Sequence, residues 1–299
     1  MEKEYKSGFA AIVGMPNVGK STLLNAAVGQ KIAIISDKPQ TTRNKILAVY
    51  NDEDSQIVFT DTPGIHTPRN KLGELMVKSA KDSMRDVDVL IMTVDATRPV
   101  HNAEIKIAEA VKSMDVPSIL VINKVDLVKK DDLLPVIAEY SALCEFDAVI
   151  PVSAKHKDGI KLVIKEIKKL LPEGPQYYYE DMVTDQPEKQ IAAEIIREKM
   201  LWLLDKEVPH GIAIEIEKMK EKEKITEINA VIYCEKDTHK GIIIGKNGEM
   251  LKNIGALARG DIEKMLDKKV YLELWVRVKK DWRNSNYLLK NFGFVQSEE

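Results

Sequence analysis

The chain has 299 residues, 44% apolar and 31% charged, with a formal net charge of −2. That length exceeds one ordinary core and predicts two domains of roughly 100–200 residues each, large enough to fold without disulfide or metal staples. Cys144 and Cys234 show neither pairing nor ligand spacing, which argues against a disulfide framework and a zinc site and makes a reducing cytoplasm the expected compartment. Residues 1–7 carry alternating charges and do not read as a signal peptide. No apolar run approaches the roughly 20 residues of a membrane span.

In chain order, short apolar runs at 9–13, 57–59, 87–94, 118–122 and 148–152 predict strands. Helical patterns at 20–28, 104–113 and 159–171 fall between or after them. This alternation predicts an α/β domain with a mostly parallel sheet covered by helices on both faces. Leu171-Pro172-Glu173-Gly174-Pro175 cannot continue a helix. The expected organisation is therefore a first domain at 1–172, a linker at 173–186 and a second domain at 187–299. In the second, a helix at 188–206 precedes strands at 212–217 and 228–233. Two helical pieces flank 241–248, and a last strand covers 270–278. The order α-β-β-α-α-β predicts a smaller α+β domain. The three tryptophans, Trp202, Trp275 and Trp282, are expected in core or helix packing.

Gly14-Met15-Pro16-Asn17-Val18-Gly19-Lys20-Ser21 fits G-x-x-x-x-G-K-[ST] between the first strand and the first helix. Such a loop curls so that backbone N–H groups and the helix N-terminus face phosphate oxygens, and residues 14–22, Thr22 included, are expected to bind the nucleotide. Lys20 would reach the β- and γ-phosphates and Ser21 would hold Mg²⁺. Asp61-Thr62-Pro63-Gly64 follows a strand end, where Asp61 anchors Mg²⁺ and Gly64 meets the γ-phosphate. Asn123-Lys124-Val125-Asp126 follows another strand end. The Asp126 carboxylate suits the two donors of a guanine edge, and adenine lacks them, so a site of this kind rejects the wrong base by about 10⁴-fold or more. Ser153-Ala154-Lys155 follows the next strand and offers a backbone N–H to guanine O6. A GTP/GDP site and GTP hydrolysis are the expected chemistry.

These elements over residues 9–171 resemble the guanine-nucleotide fold of translation-factor-related GTPases. The resemblance implies that Thr42, in Gln40-Thr41-Thr42-Arg43, belongs to the first switch and completes the Mg²⁺ shell with GTP. Lys20, Thr42 and Gly64 are then the expected catalytic residues. Ile65 stands where the Ras pattern has a water-orienting glutamine. Intrinsic hydrolysis is thus expected to be slow, or another group stabilises the charge. GTPases with the sequence PNVGKS are similar in using the residue at Asn17 to hold K⁺ beside the phosphates. The alternative is that Asn17 only stabilises the loop, and the motif does not choose between them. His66 lies in the switch with no identifiable partner.

In the second domain, Ile243-Ile244-Gly245-Lys246-Asn247-Gly248 resembles the GxxG loop of a KH domain. There the glycines let backbone approach a nucleic-acid phosphate, and apolar neighbours such as Ile243, Ile244 and Leu251 would receive bases. Residues 236–290 carry 13 Lys plus Arg against 7 Asp plus Glu, a net of +6, which suits that partner. A KH module after a PNVGKS GTPase is similar to the Era family over residues 9–294. Gln40-Thr41-Thr42-Arg43, Asp61-Thr62-Pro63-Gly64-Ile65-His66 and Lys240-Gly241-Ile242-Ile243-Ile244-Gly245-Lys246 carry the likeness. The resemblance implies binding near the 3′ end of 16S ribosomal RNA and a role in assembling the small (30S) subunit. It also implies peripheral contact with the inner face of the membrane. A monomer is expected. The Lys/Glu alternation at 218–224 reads as a solvated hairpin edge. A P-loop small-molecule kinase, a passive RNA-binding protein and a GTPase acting on a different RNA are the competing readings, and NKVD opposes the first.

Overall fold

The computed structural model describes residues 5–65 and 67–294. His66 lies outside the described residues, as do the first four residues of the N-terminal segment. Two compact units emerge, one from the chain up to 68 with 76–185, the other from 69–75 with the chain from 186 onward.

The first unit opens with β1 (Lys6–Val13), which runs into the phosphate-loop sequence and α1 (Lys20–Val28). Then come β2 (Ile46–Asp52), β3 (Ser55–Asp61), α2 (Lys71–Asp82, whose residues from 76 onward belong to this unit), β4 (Val89–Asp95) and α3 (Asn102–Lys112). The unit continues with β5 (Ser118–Asn123), α4 (Lys130–Ser141), β6 (Ala148–Pro151) and α5 (Ile160–Leu170). The six strands lie in the order β2-β3-β1-β4-β5-β6. Only β2 is antiparallel to its neighbour. The larger apolar clusters on the sheet gather around Leu23, Phe59 and Ile167 and around Met84, Ile107 and Tyr140, and a smaller one joins Leu47, Val49 and Val58. Strands buried on both faces read as continuous apolar runs, which is why the parallel ones are visible in sequence.

In this unit, three elements go beyond the sequence expectations. β2 is a hairpin partner of β3, so no helix separates the two. α2 has no counterpart among the expected helices. α4 contains Pro135, which removes one helical hydrogen bond and argues locally against a helix.

The segment 173–185 is laid along the first unit. Ser7 Oγ donates to Pro175 O, and the buried Gln56 Oε1 accepts from the Tyr177 and Tyr178 N–H groups at 2.7 and 3.0 Å. Val49 N–H donates to Val183 O at 2.8 Å, and Thr184 Oγ1 donates to Leu47 O. The segment therefore covers the outer edge of β2 rather than spanning solvent.

The second unit contains α6 (Glu188–Leu203), β7 (Ile212–Glu221), β8 (Ile225–Cys234), α7 (Asp237–Ile244), α8 (Glu249–Leu266), β9 (Lys269–Val278) and α9 (Asn286–Asn291). The sheet order is β7-β8-β9, with β7 antiparallel and β9 parallel to β8. Its core gathers Ile196, Ile228, Ile232, Ile254 and Ile262. Trp282 is fully buried, as expected. Trp202 and Trp275 are instead half exposed; Trp275 lies on the outward side of β9's alternation and Trp202 in the last turn of α6. Both cysteines are buried free thiols.

Candidate functional site

The C-terminal ends of β1, β3, β5 and β6 deliver the predicted motifs to one edge of the sheet, where open α/β sheets place their ligands. The phosphate loop occupies residues 14–19. Gly19 has φ +98, and a Cβ there would collide with the Asn123 amide, so only glycine fits. Lys20 is buried, and its ammonium donates to Met15 O at 2.9 Å and Gly14 O at 3.3 Å. Burial lowers its pKa to about 8, with the Asp61 charge pulling the other way. Ser21 and Thr22 follow on α1, lining the same cavity as Thr42 and Gly64.

The predicted Mg²⁺ residues converge. Ser21 Oγ lies 2.8 Å from Thr42 Oγ1 and donates to Asp61 Oδ2 at 2.7 Å. Thr42 Oγ1 donates to the same oxygen at 3.2 Å. Asp61 is fully buried, and its Oδ1 has no partner. Burial raises its carboxyl pKa, against the Lys20 charge and the two hydroxyls. A buried acid with an orphaned oxygen beside two hydroxyls is a hard, all-oxygen donor set that fits Mg²⁺.

Thr62 Oγ1 donates to Ile12 O, which ties the start of the Asp-Thr-Pro-Gly segment to β1. Beyond Pro63, Gly64 packs so closely on the phosphate loop that a Cβ would lie 2.7 Å from Pro16 N. Ile65 N–H donates to Gly14 O at 3.3 Å. Asn17 has φ +66, and its amide donates to Asp37 O at 2.5 Å, reaching the segment before Thr42.

Asn123 stitches the base-loop region together. Its amide donates to Val18 O at 2.9 Å, and its Oδ1 accepts the Ala154 N–H at 3.0 Å. Val125 N–H donates to Val152 O. Asp126 accepts from Ser153 Oγ at 2.6 Å, which holds its carboxyl below the usual carboxylate range. His156 Nε2 lies 3.7 Å from the other Asp126 oxygen. Lys155 sits beside them. The sequence gives Ser153 and Ala154 only backbone roles. It does not reveal the Ser153 hydroxyl or His156, because a single polar residue after a strand carries no signal by itself.

In the second unit, Gly245 (φ +73) ends α7, and Lys246, Asn247 and Gly248 form a single turn before α8. Lys246 and Asn247 are both exposed to solvent. Ile243 is fully buried in the core, so it supports the loop and does not offer a surface to bases, contrary to expectation. Ile244 and Leu251 are half buried. Beside the loop, α8 and the end strand β9 frame a groove that includes Lys252, Gly255, Arg259, Tyr271 and Glu273. The sequence does not point to these five residues. Gly248, Lys252, Gly255 and Arg259 recur at helical spacing, which is the signal that was available.

A phosphate loop, an Asp-Thr-Pro-Gly switch and an Asn-Lys-Val-Asp loop on a mostly parallel sheet, followed by a GxxG loop on an α+β unit, define a P-loop GTPase joined to a KH domain. Residues 9–124 match the family described as 50S ribosome-binding GTPase, and 207–283 match the KH domain family. GTPase Era of Ruminiclostridium cellulolyticum is 54% identical over 97% of this chain and 98% of its own length. GTPase Era of Clostridioides difficile is 53% identical over 97% and 99%. The chain belongs to the GTPase Era family. Two solved structures agree over nearly the whole length at 41% identity. One is Era in complex with MgGDPNP and nucleotides 1506–1542 of 16S ribosomal RNA, with a TM-score of 0.95 over 98% of this chain and all of that one. The other is a single-substitution variant of Aquifex aeolicus Era bound to GDP·AlF4⁻, with a TM-score of 0.94 over 97% and all of that chain.

Proposed function

We propose that this GTPase binds the 3′ region of 16S ribosomal RNA through its KH unit and acts in maturation of that RNA and assembly of the 30S subunit. The observation that carries the reading is the Lys246-Asn247 turn beside the basic α8–β9 groove. The RNA-bound relative matches across both units. Phosphate contacts supply most nucleic-acid affinity, and an edge strand beside an apolar-floored groove suits unstacked bases.

In the nucleotide site, Ser21, Thr42 and Asp61 would hold Mg²⁺, which supplies charge neutralisation at the phosphates. Lys20 would exchange its two carbonyl partners for β- and γ-phosphate oxygens. Gly64 lies against Pro16 at the end of the loop, where its N–H would meet the γ-phosphate. Asp126 would accept the guanine donors, with Asn123 fixing the loop and Ser153, Ala154 and Lys155 facing O6. Asn17 would contribute its amide oxygen to K⁺, since its nitrogen is already used by Asp37 O. That ion would supply charge where Ile65 cannot orient water.

Among the described residues no helix is long and apolar enough to cross a membrane. The cytoplasm is the proposed compartment, in keeping with two buried free thiols, and the protein is proposed to act as a monomer. In the hairpin, Lys218 and Lys222 both pair with Glu227, so part of its positive charge is met within the strand pair.

The test is a titration of an oligonucleotide carrying the 16S 3′ end. Replacing Lys246 and Asn247 by Asp sets two carboxylates where a phosphate must sit, so RNA affinity should fall by at least about tenfold while GTP affinity holds. Parent-like RNA binding by that variant would remove the KH assignment.

A further inference from the structure

Asp95 ends β4 in register with Asn123 of β5, and Ala96 N–H donates to Asn123 O at 2.9 Å. Its side chain is only 1% exposed. One carboxylate oxygen accepts the Thr97 N–H at 3.0 Å and the Thr97 hydroxyl at 2.7 Å. The other accepts the Lys124 ammonium at 2.6 Å. Arg98 Nε lies 3.5 Å from that same oxygen. Burial pushes the Asp95 carboxyl up, but the Lys124 and Thr97 hydrogen bonds outweigh it and hold the group below the usual carboxylate range. An ionised carboxylate is therefore fixed at the sheet edge with its second oxygen committed to Lys124.

Lys124 itself has φ +66, an uncommon conformation for a residue with a side chain. It lies between two anchors. Asn123 is bonded to the phosphate loop and to Ala154, and Asp126 is bonded to Ser153. Without a partner, a lysine at a strand end samples many rotamers, and ordering it on ligand binding costs free energy. Here the ammonium is tied to β4 before any ligand arrives.

We propose that Asp95 is a positioning residue for guanine-nucleotide binding, acting through Lys124: it fixes the lysine stem so that its methylenes can cover the base that Asp126 recognises. This rests on the reading of residues 123–126 as the guanine loop. It gives Lys124 a role of shape rather than charge toward the ligand, because its charge is already satisfied by Asp95.

The experiment measures GDP dissociation and GTP turnover in the full chain. In Asp95→Asn, GDP should dissociate about tenfold faster and KM should rise with it, while kcat at saturating GTP stays within about twofold, the pattern of a lost binding contact rather than a lost transition-state contact. The second arm is a cycle with Lys124→Met, which keeps the stem and removes the ammonium. Adding Asp95→Asn to Lys124→Met should change GDP dissociation by less than about twofold, because the partner is already gone. Equal and additive effects in the two backgrounds would show that Asp95 acts on the fold and not through Lys124. Parent-like dissociation in Asp95→Asn would also overturn the proposal. Asp126→Asn is the control for the underlying reading and should shift preference from GTP toward xanthosine triphosphate. If it does not, the guanine-loop assignment fails; if it does while Asp95→Asn is silent, only the present proposal fails.

Discussion

Two residues of the phosphate-binding motif, Lys20 and Asn17, carry consequences that can be measured directly. Lys20 is buried with a pKa of about 8, lowered by burial and only partly restored by Asp61. Polyphosphate arriving at its ammonium favours the charged form, so the bound pKa is higher than the free one. Just above pH 8, nucleotide binding should therefore take up a proton, and affinity should fall as pH rises through the free value. Calorimetry in two buffers of different ionisation heat reads that proton count; a zero count would mean that Lys20 is fully charged before binding. Asn17 is the other. The hydrogen bond that its side-chain amide donates to Asp37 O already joins the loop to the first-switch segment. GTP turnover is expected to be faster in K⁺ than in Na⁺, and Asn17→Ala should abolish the difference. Equal parent rates in the two salts would reduce Asn17 to a loop-stabilising residue.

Among the elements, the strands that present the site are legible because burial on both faces demands continuous apolar sequence. The motifs are legible because their spacing is dictated by phosphate and base geometry. Ser21 and Asp61 are 40 residues apart, yet their oxygens meet with that of Thr42 between them, and only the family resemblance singles out Thr42. Packing relations are not legible. Nothing in the sequence around Asp95, Gln56 or Thr184 announces its partner, because each bond links residues distant in the chain. The tryptophans show the limit in another way, since half-exposed Trp275 and buried Trp282 look alike in a sequence. Gln56 gives the test at this scale. Its carbonyl satisfies two backbone N–H groups, so Gln56→Ala should lower unfolding free energy by about 1–3 kcal/mol, read by urea titration. A change below about 0.5 kcal/mol would mean water replaces those bonds at no cost.

At the scale of the molecule, a nucleotide switch and an RNA-binding unit share one chain. Coupling between them requires RNA to favour one state of the GTPase over another. RNA carrying the 16S 3′ end is expected to raise GTP turnover. The Lys246→Asp, Asn247→Asp variant should lose that stimulation while keeping its basal rate. Stimulation that survives the loss of RNA binding at this loop would make the KH unit an anchor with no part in the switch.

The cover that residues 173–185 place on β2 has a practical consequence for anyone dividing the chain. A fragment stopped at the helix-ending Pro172 would strip the Val183 and Thr184 contacts from β2. It would then present a bare strand margin, which recruits other strands and promotes self-association. A fragment extended through Asp185 keeps that margin closed and should stay monodisperse, so light scattering on the two fragments should differ although both contain every residue proposed to bind nucleotide.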